Sequence, residues 1–574
     1  MPSEDQLQKF IEFCRKNGAN LDERISFKIT RSAGVTAVAT SAIHTQDPLI
    51  SVPEKLLITR ELAEKEFGVN SATVSSGNSN ALLQLYIAKM KFEPSAKPFH
   101  KPYFDILPDT LNQPYFWSLK ELELLKGTDL YLLLKENLRR IIREWWKLLH
   151  KLQIDAVDKE IYEGLESSED FDVLRYVCDY REKHQSFSWK SFAGYLWATG
   201  IFTSRAFPRL VIDKACSDLN EAFLYPVVDL LNHKNDTQVK WTFEHEKVCF
   251  ITSETLKEGD EVFNNYGDKS NEDLLLCYGF LQESNRYDRT RLTLRLDSET
   301  IEQALASNLG MTKENVIADD CAQFLITAQD PLPNAVANFF GYLCKLKSEA
   351  EVSLRSFLEG QDELSSILVQ KLDFFKVRSK FSPADREGCN PDVIQMIKKY
   401  MSSERKLIQG SLEYLQKRQK DILKSNSALM VSFKSIFKMD RKFADSLLLS
   451  FGVVKYEDLV AKNRLRESLL LWIVRAANKD SYPQKFQYTV PEFIFDTFQE
   501  VSGSIVIEKN DVAEFMEFYK NLFPGLTEKI PEVFGPGNWG IRQFIVADTV
   551  MDRVVYTRKL THEPYFIVRV PFKL

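Results

Sequence analysis

The sequence predicts an α+β fold in which short β-strands stand at both ends of a helical insert, and a mostly α-helical C-terminal domain follows. Three observations predict it. Strand-like pieces gather in two places, before residue 60 and between residues 192 and 280. The stretch between them, and nearly everything after residue 298, carries apolar residues at helical spacing. The length of 574 residues exceeds what one hydrophobic core usually holds.

Taken in order, the opening segment Asp5 to Lys16 sets Leu7, Phe10, Ile11 and Cys14 on one helical face. Three short strands are expected next, "ISFKIT", "GVTAVAT" and "PLISVP", separated by Gly34 and by the prolines at 48 and 53. From about residue 61 to 190 the pattern is helical. Leu134, Leu138, Ile141, Ile142, Trp145, Leu149 and Leu152 form one apolar stripe on a long helix. The Ser-rich "SATVSSGNSN" before Ala81 reads as a loop ending in an N-cap. Strands are expected again at "YPVVDLL", "VKWTFEH", "KVCFITS" and "DEVFNNY", the last entered through the turn Lys257 to Asp260. Ile408, Leu412, Leu415 and Ile422 keep helical register within a charged, solvated helix, and "PYFIVRVPFKL" reads as a late strand. Residues 1–290 and 300–574 are the expected domains.

Composition narrows the function. The chain is 44% hydrophobic and 27% charged, with a net charge of −6, which speaks against general polyanion binding and favours a basic protein partner over nucleic acid. The N-terminus lacks a basic segment followed by an apolar run, and no apolar stretch approaches the roughly 20 residues that span a bilayer. No membrane association is expected, and the location expected is the cytoplasm or nucleus. The eight cysteines are scattered, without Cys-x-x-Cys pairs or nearby histidines, so reduced thiols are expected and a zinc site is not. No Gly-x-Gly-x-x-Gly follows a strand, which argues against a Rossmann cofactor site.

The chemistry concentrates between residues 203 and 280. Asn232 and His233 follow an apolar run, and an Asn-His pair offers donors, acceptors and a directional ring nitrogen suited to a polar heterocycle or an amino-acid head group. Two Tyr-Gly pairs, Tyr266-Gly267 and Tyr278-Gly279, frame "EVFNNYGDKSNEDLLLCYGF"; a glycine after an aromatic lets the chain turn while the ring stays fixed, and two such rings can wall a narrow pocket. Each residue alone has a structural explanation. Their order and spacing, with Asp229 upstream, point to a site.

The pieces "SAGVTAVA", "TSRAFPRL", "DLLNH" and "EVFNNYGDKSNEDLLLCYGF" together resemble the SET-domain protein lysine methyltransferases of the Rubisco large-subunit methyltransferase type, the group that includes fungal ribosomal-protein and elongation-factor lysine methyltransferases. A helical insert between the first and second pieces is a feature of that group. The resemblance spans residues 1 to about 290 and implies a SET domain there, followed by a helical substrate-binding domain. It implies S-adenosylmethionine as cofactor, held by Ser32, Ala33 and Gly34 with Arg205, Asn232, His233 and Tyr266. Tyr266 is implied as the catalytic tyrosine, Tyr278 and Phe280 as the lysine channel, and Arg209 and Asp229 as contacts to the substrate lysine or its peptide. Ser32 stands where the family usually has the first glycine of a Gly-x-Gly turn. The substrate implied is a non-histone protein, a ribosomal protein or a translation elongation factor. The competing expectations are a SET-fold interaction protein without catalysis and a helical scaffold; the second leaves the polar motifs unexplained.

Overall fold

A computed structural model describes residues 2–30, 33–44, 48–75, 77–167, 171–183, 188–484, 486, 488–523 and 525–572. Two compact units emerge. The first comprises residues 1–289 and 375–405, the second residues 290–374 and 406–574. The expected C-terminal domain of residues 300–574 is thus interrupted: the segment running from the end of helix Leu354–Arg378 into the first half of helix Pro391–Ser425 belongs with the first unit.

The first unit opens with helix Glu4–Lys16, whose start is fixed by a reciprocal capping box between Ser3 and Gln6 and which buries Leu7, Phe10 and Cys14. Its strands are β1 (Asn20–Leu21), β2 (Ile25–Thr30), β3 (Gly34–Ala39), β4 (Ile50–Pro53), β5 (Ala206–Pro208), β6 (Ala222–Leu224), β7 (Val239–Glu244) and β8 (Lys247–Thr252). A four-stranded sheet runs β1-β4-β8-β7, all antiparallel, so strands from before the helical insert pair with strands from after it. Ile50 faces Phe250 and Val52 faces Val248 in that register, all four fully buried, and this apolar pairing ties the two halves together. β2 and β3 form a hairpin from Ile25/Ala39 to Thr30/Gly34, and β5 pairs with β6.

The insert is helical as expected. Helix Asp129–Lys151, capped by the Thr128 hydroxyl, buries Leu134, Leu138, Ile141, Ile142, Trp145 and Leu149 along one stripe. Helix Phe192–Arg205 is buried on nearly every side and packs on helix Ala81–Phe92. Three expectations fail locally. "SATVSSGNSN" contains a one-turn helix, Ser71–Val74, and the Asn80 side chain caps nothing because it reaches instead to the Asn220 carbonyl and the Ala222 amide. "YPVVDLL" is not a strand: Val227 takes φ 77° and ψ −51°, and a 3₁₀ turn covers Val228–Leu230. "DEVFNNY" makes only isolated bridges, Glu261 to Val38 and Asn264 to His233.

In the second unit, β10 (Val316–Ala318), β11 (Cys321–Thr327) and β9 (Arg289–Arg295) form one small sheet. β12 (Met430–Ser432), β14 (Glu563–Ile567) and β13 (Val555–Arg558) form another, the late strand β14 lying at its centre. The rest is helical around a core that includes Phe433, Trp472, Phe544 and Phe566, all without solvent exposure. Among the described residues no helix is long and apolar enough to cross a membrane, every cysteine is free, and no three His, Cys, Asp or Glu side chains are grouped to hold a metal ion.

Candidate active site

The first unit contains a cavity of about 480 Å³ whose walls include Arg205, Phe207, Asp229, Trp241, Tyr266, Lys269 and Tyr278. Arg205 arrives at the end of a buried helix, Asp229 on the 3₁₀ turn, and Tyr266 after the Asn264 bridge. Helix Asn271–Tyr278 begins with a capping box between Ser270 and Asp273, and it ends at Gly279 with φ 77°. A Cβ on Gly279 would stand 2.8 Å from Asn112, so both the backbone angle and the close approach demand glycine there. That stop is what sets Tyr278 and Phe280 around one corner.

Three rings form a column. Tyr266 stacks on His233 at 4.9 Å and on Tyr278 at 4.7 Å between ring centres, with Phe280 tilted against His233 and edge-on to Tyr278. The Tyr266 hydroxyl donates to the Leu231 carbonyl at 2.8 Å, and its backbone N–H donates to His233 Nδ1 at 3.0 Å. Because Nδ1 accepts, Nε2 carries the proton and donates to Asn235 Oδ1 at 2.8 Å. Burial lowers the His233 pKa, against the Asn235 contact, so the ring is neutral at neutral pH. Both ring nitrogens are committed within the protein, and the face and edge of His233 are what it presents. Burial drives the Tyr266 phenol well above its ordinary range, with Asp229 adding to the rise and Arg205 opposing it. Tyr278 rises for the same first reason.

Behind the column lies a buried ion pair. Arg205 donates to the Asp229 carboxylate and to its backbone carbonyl, each at 3.1 Å, and the Asp229 side chain has no solvent exposure. Burial pushes the Asp229 carboxyl upward while Arg205 and the Tyr103 hydroxyl hold it down. The Arg205 charge is secured by Asp229 although burial opposes it.

Asn232 and the hairpin β2–β3 meet each other and do not line this cavity. The Asn232 amide donates to Glu261 at 2.7 Å and reaches the Val35 carbonyl at 3.5 Å, and among the described residues its side-chain oxygen takes no hydrogen bond. Gly34 has φ 72°, and none of the described residues lies within 4 Å of where its Cβ would be. A backbone turn at Gly34 and the amide of Asn232 suit a nucleoside bearing an amino-acid head, so the residues present fit S-adenosylmethionine. Ala33 sits in that turn, with its N–H on the Thr30 hydroxyl. Ser32 lies outside the described residues.

Arg209 is placed elsewhere. β5 gives way to the 3₁₀ turn Arg209–Val211, which carries the guanidinium onto both carboxylate oxygens of Glu61 at 2.9 and 2.7 Å, and it does not line the cavity. Although burial opposes it, the Arg209 fork holds the Glu61 carboxyl down to about 2. Conversely Tyr103, Phe207, Trp241 and Lys269 were not singled out by the sequence. Lys269 lies inside the quoted Tyr-Gly stretch, whereas Tyr103 sits in the helical insert with no local signal.

Comparison with known proteins agrees with this geometry. A SET domain model matches residues 34–267, and an EFM1 middle domain model matches residues 289–426. The chain is 43% identical to the Saccharomyces cerevisiae protein-lysine N-methyltransferase EFM1 over the full length of both, and 27% identical to the Saccharomyces cerevisiae ribosomal lysine N-methyltransferase 1 over 86% of this chain and 90% of that one. Among solved structures, the SET domain of LSMT bound to methyl-lysine and AdoHcy superposes with a TM-score of 0.53 at 18% identity, over 74% of this chain and 94% of the other. Rubisco LSMT bound to AdoMet gives 0.51, also at 18%, over 73% and 93%. At that identity the likeness is one of fold.

Proposed function

Because the chain belongs to the family of the Saccharomyces cerevisiae protein-lysine N-methyltransferase EFM1, we propose that it transfers a methyl group from S-adenosylmethionine to a lysine of a ribosomal protein or a translation elongation factor. The lysine methyltransferase activity is that of the family. The substrate is inferred from the resemblance to translation-directed enzymes, from the ribosomal relative and from an acidic chain that suits a basic partner. The second unit is assigned the presentation of that protein, and the cytoplasm or nucleus is where such substrates are met.

The observation that carries the reading is Tyr266, stacked between His233 and Tyr278 with its hydroxyl fixed on the Leu231 carbonyl at the cavity wall. S-adenosylmethionine supplies an electrophilic methyl group. The chain must supply a neutral, aligned amine. Free lysine has a pKa of roughly 10.4, and a dry aromatic channel lowers it by disfavouring the ammonium. Tyr278, Phe280 and Trp241 are assigned that wall, and Asn232 with the Ala33–Gly34 turn is assigned to the cofactor. Tyr266 holds its own proton, since burial raises its pKa and Leu231 takes the hydrogen bond. Its oxygen lone pairs are therefore left to orient the amine, and it does not act as the base at neutral pH. Alignment at about 3 to 3.5 Å can supply much of the rate enhancement.

Calorimetry with S-adenosylmethionine, followed by transfer of label to extract from cells lacking the protein and mass spectrometry of the labelled band, tests this. Cofactor binding without transfer to any protein would favour an inactive SET-fold interaction protein. A labelled histone alone would overturn the substrate assignment.

A further inference from the structure

The buried carboxylate at the back of the site is held from outside the SET strands. Tyr103, on helix Lys101–Ile106 of the insert, is fully buried and donates its hydroxyl to Asp229 Oδ2 at 2.6 Å. Phe10 of the N-terminal helix packs against the Tyr103 ring at 5.8 Å. Oδ2 also receives Arg205, while Asp229 Oδ1 is buried with no hydrogen-bond partner among the described residues, and Asp229 lines the cavity. Two residues further along the same turn, the Leu231 carbonyl accepts the Tyr266 hydroxyl. An unbroken chain of contacts therefore runs from the insert to the reactive wall: Tyr103, Asp229, the turn at Val228–Leu230, Leu231, Tyr266.

We propose that Tyr103 is a positioning residue for methyl transfer, contributed by the helical insert: with Arg205 it fixes the ionised Asp229 carboxylate, and through that turn it sets where the Tyr266 hydroxyl points. This rests on the reading of the cavity as the methyl-transfer centre. The physical argument is one of alternatives. A buried carboxylate with a single partner can rotate, or take up a proton, to satisfy its second oxygen. Two donors converging on Oδ2 from different elements leave one orientation and favour the charged form. The groups facing Asp229 are Tyr103, Arg205, Cys14 and Tyr266; of these Arg205 is the cation, and Cys14, pushed up to about 12 chiefly by its own burial, stays neutral. Burial raises the Asp229 carboxyl, and Arg205 and Tyr103 are the side chains that oppose that rise.

Tyr103→Phe keeps the ring and its contact with Phe10 and deletes the one hydroxyl. S-adenosylmethionine affinity should change by less than about threefold, while kcat/KM for the protein substrate falls about ten- to hundredfold, as for a hydrogen bond to a charged group. The acid limb of the pH–rate profile should move to higher pH, because the ionised form of Asp229 loses a donor and takes up its proton sooner. In the full-length protein, Tyr103→Phe and Asp229→Asn should be non-additive, the double variant losing little more than the worse single one. Thermal unfolding of Tyr103→Phe separates lost positioning from lost fold. A lower midpoint with an unmoved acid limb, or fully additive losses, overturns the proposal and leaves Tyr103 a core residue. A parent that binds cofactor but methylates nothing overturns the reading beneath it instead.

Discussion

Each unit buries an aspartate against an arginine and a tyrosine, and the two arrangements differ in how completely the carboxylate is used and in the backbone that carries it. In the second unit, Asp440 receives Arg475 on both oxygens at 2.9 and 3.2 Å, Tyr488 at 2.9 Å and the Phe443 N–H at 3.1 Å, and the Arg475 guanidinium packs against the rings of Tyr482 and Phe486. Every oxygen is used, and Asp440 also caps helix Arg441–Phe451. In the first unit Asp229 uses one oxygen, lines a cavity, and follows Val227, a fully buried β-branched residue held at φ 77°. Such a backbone angle costs of order 1–3 kcal/mol and persists only where the surroundings enforce it. The same three residue types thus make a closed clasp in one place and an open one in the other. An unpartnered carboxylate oxygen beside a cavity and a strained backbone, more than residue identity, separate the first site from the second, whose unpartnered buried atom among the described residues is the Arg475 Nη1.

The largest expected effect falls on the closed clasp. Arg475→Ala leaves Asp440 buried without its cation and should cost about 3–5 kcal/mol in chemical denaturation, with cofactor affinity of the folded protein unchanged; a smaller loss would mean that the pair is not the latch it looks to be. Next comes the open site. Tyr266→Phe should fold and bind S-adenosylmethionine nearly as the parent does, yet lose about 10²–10³ in turnover, the usual effect of removing one oriented polar group from a reacting centre. Parental turnover at every pH would make the His233–Tyr266–Tyr278 column as purely structural as Asp440. Asn232→Ala should weaken S-adenosylmethionine by about 1–3 kcal/mol in calorimetry, because it removes a partly buried polar partner. His233→Ala should act differently from what its motif suggests: with both nitrogens committed to Tyr266 and Asn235, its loss should appear in turnover, through the displaced tyrosine, as much as in affinity.

The sequence carried the parts of this site that are local. "ISFKIT" and "GVTAVAT" became β2 and β3 because alternation and β-branched residues specify a hairpin wherever the chain can pair with itself. The Tyr-Gly pairs located Tyr266 and Tyr278, since a ring followed by a residue free to turn is written in adjacent letters. "YPVVDLL" misleads because an apolar run cannot tell a buried strand from a buried irregular turn, and only tertiary packing forces Val227 out of the extended region. Arg209 shows a related limit: four residues from Arg205, it is carried by the 3₁₀ turn after β5 onto Glu61, far away in sequence, a partner the sequence does not announce. Tyr103 could not be read at all. Its partner lies 126 residues away, and nothing beside it in the chain announces the contact.

The smallest expected effect again sets the two units apart. The two buried histidines among the described residues, His100 and His233, both belong to the first unit. Burial lowers the His100 pKa to about 4, against the contact of its Nε2 with the Lys55 carbonyl, and lowers that of His233 as well. In the unfolded chain each titrates near roughly 6.5. As pH falls below that value the unfolded chain takes up protons that the folded unit refuses, so stability is full above about pH 7 and declines toward pH 4. For His100 alone the loss between pH 7.5 and 5.5 should be about 1 kcal/mol. Native-state hydrogen exchange resolved by peptide reads it directly: amides of residues 1–289 should lose protection over that range more than those of residues 406–574. His100→Gln should flatten that difference, because glutamine cannot take the proton. If the variant loses protection as steeply as the parent, the acid sensitivity arises elsewhere, and the neutral core histidine is not what distinguishes the catalytic unit.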